Sequence, residues 1–117
     1  MLNDLDPKAY PHIYIRAGFT DLRKGIDGLA ALITSEFALD PFDGSLFLFC
    51  GRRTDRIKAL CYEGDGFVLL YKRLACGKFR WPRNREELES ITADQYAALM
   101  KGWEISPSIK EFRPIAV

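Results

Sequence analysis

The chain has 117 residues, 48% of them hydrophobic and 13% aromatic, enough for one domain to bury roughly two-thirds of its unfolded surface. Its 17 Lys/Arg and 16 Asp/Glu leave a formal charge of +1, and no apolar run approaches the ~20 residues of a membrane helix. The opening MLNDLDPKAYPH is polar and acidic with no hydrophobic segment, so no secretory signal is expected and the protein is expected in the cytoplasm. Three cysteines, Cys50, Cys61 and Cys76, stand 11 and 15 residues apart, and the single histidine, His12, has no cysteine nearby. That spacing suits neither zinc nor a redox pair, and all three thiols are expected to be reduced and buried.

In chain order, residues 1 to 11 are expected as a flexible arm, since Pro7 and Pro11 discourage regular structure. His12 to Ala17 is the first strand, with Ile13 and Ile15 on one face and Tyr14 and Arg16 on the other. Thr20 or Asp21 is the expected cap of a helix running to about Phe37, whose apolar stripe is Ile26, Leu29, Ala30, Ile33 and Phe37. Gly25 and Gly28 would then lie inside it, each costing on the order of 1 kcal/mol relative to alanine. Two readings compete for them. Either glycine lets a strand pack closely, or TDLRKG presents Arg23, Lys24 and free N–H groups to an anion.

The turn Asp40-Pro41-Phe42-Asp43-Gly44 leads to Leu46–Cys50, apolar without alternation and therefore a central strand covered on both faces. Arg56–Glu63 and Phe67–Arg73 flank Gly-Asp-Gly and form a hairpin. Lys78–Trp81 is expected as the fifth strand, stopped by Pro82, and Asn84–Glu89 as a charged connection. Thr92 and Gln95 form a capping box for a second helix with the stripe Tyr96, Leu99, Met100 and Trp103, ended by Gly102. This helix is expected on the sheet or on the first helix. WEISPSIKEFRPIAV reads as a tail, with no internal repeat or second domain.

Charge is unevenly distributed. Residues 52 to 85 hold ten Lys/Arg against three Asp/Glu, a local +7, and the remainder holds seven against thirteen, or −6. In a conventional hairpin register Lys58 would face Lys72 or Arg73, a repulsive pair. Lys78 and Arg80 would share one face while Phe79 and Trp81 enter the core. Such a cationic set is easiest to understand if it meets an anion, with polyphosphate the usual one. The plainer reading is a solvated face whose cations pair with Asp55, Asp65, Glu86, Glu87 and Glu89. Catalysis finds little support: His12 has no adjacent nucleophile, and Ser35, Ser45 and Ser90 lack a glycine elbow.

The blocks TDLRKGIDGLAALI, DPFDGSLFLFCGRRTDRIKAL and GDGFVLLYKRLACGKFRWP resemble the small accessory proteins, labelled TnpB, of insertion sequences of the IS-sixty-six type. The likeness spans roughly residues 12 to 103. It is distinct from the RNA-guided nuclease that shares the label. The resemblance implies a protein encoded in a mobile element beside a larger transposase, supporting transposition, with no catalytic residue to carry over. Asp21, Arg23, Lys24, Gly25, Gly28, Arg52, Arg53, Asp55, Arg56 and Lys58 match family blocks, as do Gly64, Gly66, Phe67, Tyr71, Lys72, Arg73, Gly77, Phe79, Trp81 and Pro82. Ala59 and Cys61 replace bulkier residues, and Ala75-Cys76 a more charged pair.

The expectation is a single α+β domain with a mostly antiparallel five-stranded sheet and two packed helices. Residues 1–11 form the arm, 12–103 the accessory domain and 104–117 the tail, and the position of the first strand in the sheet is left open. The expected DNA-binding set is Arg52, Arg53, Arg56, Lys58, Lys72, Arg73, Lys78 and Arg80, contacting backbone phosphate with little base readout. Arg23 and Lys24 are a candidate anion site. No catalytic residue, metal or cofactor is expected. DNA is the expected partner, the element's transposase the alternative, and no membrane is involved.

Overall fold

The computed structural model describes residues 1–83, 88–103 and 105. Strand β1 (Ile13–Arg16), helix α1 (Ile26–Phe37), strands β2 (Leu46–Cys50), β3 (Arg56–Tyr62), β4 (Phe67–Arg73) and β5 (Leu88–Ile91), and helix α2 (Ala93–Met100) follow in order. The five strands form one sheet in the order β4-β3-β2-β1-β5. The unalternating β2 occupies the centre with all its residues buried. β1 reaches β2 through α1, and the two pair in parallel, as a helical crossover allows. The other three pairings are antiparallel. The chain is a single α+β domain with a mixed, mostly antiparallel sheet.

The helices lie on opposite faces. On one, Leu29, Leu32 and Ile33 of α1 meet Phe47, Phe49 and Leu60. On the other, Tyr96, Ala98 and Leu99 of α2 share a core with Leu46, Leu48, Cys50, Ile57 and Ala59. The apolar stripes expected for both helices therefore face the sheet, and the second rests on the strands and not on α1. Thr92 accepts from the Gln95 N–H while the Gln95 side chain accepts from the Thr92 N–H, the expected capping box. Gly102, at φ +82, ends the turn that follows α2.

Four expectations are corrected. Helix α1 begins at Ile26, with Gly25 as its cap, not at Thr20 or Asp21. The Asp21 carboxylate accepts from the Arg23 N–H at 3.0 Å, and the Lys24 N–H bonds the Asp21 carbonyl at 3.1 Å, so Asp21 closes a separate turn. Only Gly28 lies within the helix, and a Cβ there would meet the Lys24 Cβ at 3.2 Å. Close packing is what Gly28 permits, against a lysine stem and not a strand.

The fifth strand is Leu88–Ile91, paired with β1, and not Lys78–Trp81. Residues 78–82 are pinned by isolated bonds instead of a ladder: Phe79 N–H to the Thr54 carbonyl, Trp81 Nε1–H to the Arg16 carbonyl, and Gly18 N–H to the Pro82 carbonyl. Phe79 and Trp81 are nonetheless buried, as their alternation predicted. Of the expected connection, residues 84–87 lie outside the described residues, as does the tail except for Ile105, which is buried.

The first eleven residues are not loose. Pro7–Ala9 forms a 3-10 turn, Leu2 is buried, and the Tyr96 hydroxyl donates to the Leu2 carbonyl at 2.6 Å. Burial also pushes the Tyr96 hydroxyl well above its ordinary range, which keeps it a donor. Of the cysteines, Cys50 is buried as expected, whereas Cys61 is only half-buried and Cys76 is exposed in the bend after β4. Burial raises the Cys50 thiol to about 12, so it packs as a small hydrophobe.

Candidate functional site

The register of β3 decides which cations share a face. Arg56 lies opposite Arg73, Lys58 opposite Tyr71, and Leu60 opposite Leu69, all on the side that carries α1. Lys58 therefore faces an aromatic ring and not Lys72 or Arg73, and the like-charged pair across the hairpin is Arg56 with Arg73. Lys72 pairs with Ile57, whose side chain lies in the core on the α2 face. There its ammonium bonds the Asn3 side chain at 2.5 Å.

Because α1 starts late, it covers Leu60 completely but leaves Lys58 and Arg56 partly open. Two loops wall the gap. One is Phe19–Arg23, preceding the helix, and the other is Gly51–Arg53, between β2 and β3. Together with Arg56, Lys58, Leu69 and Tyr71 they enclose a groove of about 850 Å³.

The basic loop is rigidly built. Gly51 N–H bonds the Arg56 carbonyl at 3.1 Å, and Thr54 N–H bonds the Gly51 carbonyl at 3.0 Å. Thr54 is left-handed at φ +59, a conformation costly for a β-branched residue. It is fixed by the bond from Phe79 to its carbonyl and by a further bond from Leu74 N–H to the Asp55 carbonyl, each 2.7 Å. Gly51 lacks a side chain where a Cβ would meet Leu22 and Arg56 at 3.2 Å, so the two walls approach closely there. The loop thus holds the backbone of Arg52 and Arg53 at its tip in one conformation, so no backbone ordering is left for binding.

The groove is strongly basic. Arg23, Arg52, Arg53, Arg56 and Lys58 line it, against one carboxylate, Asp21. Asp21 grips Arg23 through Nε and the terminal nitrogen, the latter at 2.8 Å, and this pairing holds its carboxyl down to about 2. Asp55 similarly pairs with Arg56 at 2.9 Å, which lowers the carboxyl and raises the guanidinium. Lys58 donates to the Lys24 carbonyl at 3.0 Å, joining β3 to the loop before α1. Arg52 and Arg53 are exposed and form no salt bridge among the described residues, although Arg53 lies near enough to Asp55 to help lower its carboxyl.

The expected cations therefore divide. Arg52, Arg53, Arg56 and Lys58 converge, and Arg23 of the candidate anion site joins them. Lys24 precedes the helix without lining the groove, Arg73 continues the same face beyond Arg56, and Lys72 belongs to the opposite face. Lys78 and Arg80 are exposed on either side of Phe79, next to the basic loop but outside the groove lining. Of the carboxylates in the plainer reading, Asp55 does pair with a cation of the set, Asp65 is exposed, and Glu86 and Glu87 lie outside the described residues.

The sequence-derived set omitted aromatic residues. Tyr71 lines the groove at 54% exposure, with the Lys58 ammonium 5.7 Å from its ring centre. Phe19 lines it too, and the Arg83 guanidinium sits 5.6 Å from that ring. The overlooked signal was strand alternation: Tyr71, between Leu70 and Lys72, must share a face with whatever lies opposite on β3. No group of three or more metal-ligating side chains occurs among the described residues, and no helix among them is long and apolar enough to cross a membrane.

The model of the family described as IS66 Orf2 like protein matches residues 11–110. The chain is 33% identical over 105 residues to the uncharacterized protein y4hO of Sinorhizobium fredii, covering 90% of this chain and 91% of that one. It is also 33% identical over 82 residues to the uncharacterized protein y4jC of the same organism, covering 70% of each. No solved structure matches it. With a family model spanning most of its length and a relative aligned nearly end to end, the chain belongs to the IS66 Orf2-like family, accessory proteins associated with transposition.

Proposed function

We propose that this protein is a non-catalytic accessory factor that binds DNA phosphates through the basic groove. The observation carrying this reading is the convergence of Arg52, Arg53, Arg56 and Lys58 from one loop and one strand, with Arg23 opposite them. Arginine suits the role because its planar fork bonds phosphate oxygens in pairs and stays charged at all working pH values. Backbone contacts of this kind position a protein on DNA with little dependence on sequence. Arg73, Lys78 and Arg80 extend the same positive field, whereas Lys72 belongs to a separate surface.

The test is a titration of element-end DNA at two ionic strengths. Four phosphate contacts make affinity fall on the order of 100-fold between about 50 and about 200 mM salt. Undetectable binding at the lower salt, or affinity indifferent to it, defeats the reading.

A second reading is supported by a different surface. Phe42, Tyr62 and Phe67 form a cluster with ring centres 5.0 to 5.1 Å apart, and Phe42 is 57% exposed. Such a patch suits a protein partner, for which the element's transposase is the natural candidate. Co-purification that survives nuclease and is lost in Phe42→Ser supports it. Loss of the complex with nuclease treatment removes it.

A further inference from the structure

We infer that the groove takes unpaired DNA, with bases stacked on Tyr71 and Phe19 while the surrounding cations hold the backbone. This rests on the DNA-binding reading and narrows its substrate class. Three observations carry it. The site is concave, whereas duplex readers present a protruding helix or ribbon that enters a DNA groove. Its volume of about 850 Å³ falls within the range of small-ligand pockets, the scale of a few nucleotides and not of a double helix. Its lining also sets two rings, Tyr71 and Phe19, among the cations.

The presence of rings distinguishes the site from a merely basic face. Tyr71 is a large exposed aromatic on a strand, and Lys58 lies 5.7 Å from its ring centre. Phe19 carries Arg83 at 5.6 Å, a cation outside the groove lining. A π-face beside a cation is the unit from which single-strand channels are built, because every base can stack and every nucleotide brings a phosphate. More than half of the Tyr71 surface lies outside the core, while its hydroxyl interacts with Arg56 on the neighbouring strand. Arg52 and Arg53, held at the rim by the rigid turn, are suited to the phosphates entering and leaving the groove.

The experiment compares three fluorescent probes of equal length on the full chain at low salt: a mixed-sequence single strand, its duplex, and an abasic single strand with the same phosphates. The expected order is single strand tightest, with at least a tenfold loss for the abasic strand. Tyr71→Ala weakens the single strand about tenfold while changing the duplex less than twofold, and Tyr71→Phe, which keeps the ring, retains affinity. A thermal melt of Tyr71→Ala checks that the fold is intact. The abasic comparison needs no variant and so holds even if Tyr71→Ala fails to fold. Equal binding of the single strand and the abasic strand, or of single strand and duplex, overturns the inference while leaving phosphate binding in place. Binding to none of the three probes overturns both readings.

Discussion

Leu60 and Lys58 stand two residues apart on the same face of the same strand, yet they belong to different worlds. Leu60 is completely buried beneath α1 among Phe47, Phe49 and Ile33, while Lys58 opens into a basic groove. The difference is set by where the helix begins. Had α1 started at Asp21, it would have gained an additional turn and extended toward the region the groove now occupies. The Asp21 turn delays the helix to Ile26 and turns residues 19–23 into a wall. One half of a sheet face is thus committed to stability and the adjoining half is left available for a ligand.

That division can be tested by substitutions on either side of the boundary. The largest effect belongs to the closed half: Phe47→Ala should destabilise the fold by about 3–5 kcal/mol and lower the melting temperature by roughly 10–20 °C in calorimetry. In the open half, Arg52→Glu with Arg53→Glu should leave the melting temperature nearly unchanged. The same pair should weaken DNA binding at least about tenfold and reduce the slope of log affinity against log salt by about 2. Lys72→Glu, on the α2 face, is the control for the boundary, and an equal loss there would show that net charge and not the groove governs binding.

A smaller effect is expected at the N-terminal segment. Tyr96→Phe removes the donor to the Leu2 carbonyl and should cost about 1–2 kcal/mol in urea unfolding, with earlier proteolytic clipping before Tyr10. Smallest is the Asp21–Arg23 pair. Its carboxyl lies below the unfolded value, so its contribution is present above about pH 4 and is lost as pH falls through about 2. Because the pair is exposed, the change is best seen by an NMR titration of the Asp21 carboxyl. The midpoint should lie near 2 and return toward the ordinary carboxylate range in Arg23→Gln.

Much of the architecture was legible along the chain. The unalternating Leu46–Cys50 run announced a strand covered on both faces, Gly-Asp-Gly announced the β3–β4 hairpin, and Thr92 with Gln95 announced the start of α2. The misjudged fifth strand is instructive. Lys78–Trp81 has the right alternation, and its aromatics are indeed buried, but it is tied by the Phe79 N–H to the Thr54 carbonyl and by the Trp81 indole to the Arg16 carbonyl instead of by a neighbouring strand. Leu88–Ile91 shows weaker alternation yet finds the open edge of β1. Alternation reports which side chains are buried, and pairing depends on which edge is free.

The sequence by itself determined most of the elements, the burial of their apolar faces and the concentration of positive charge between residues 52 and 85, because these follow from local periodicity, turn chemistry and composition. Only the tertiary structure decided which cations meet. Neighbours in a strand point to opposite faces, and the hairpin register decides which one reaches the groove side: Arg73 lies opposite Arg56, Lys72 opposite Ile57 on the other face. Arg23, some thirty residues before Arg52, arrives at the groove because the crossover through α1 lays β1 beside β2 and brings the loop after β1 alongside the loop after β2.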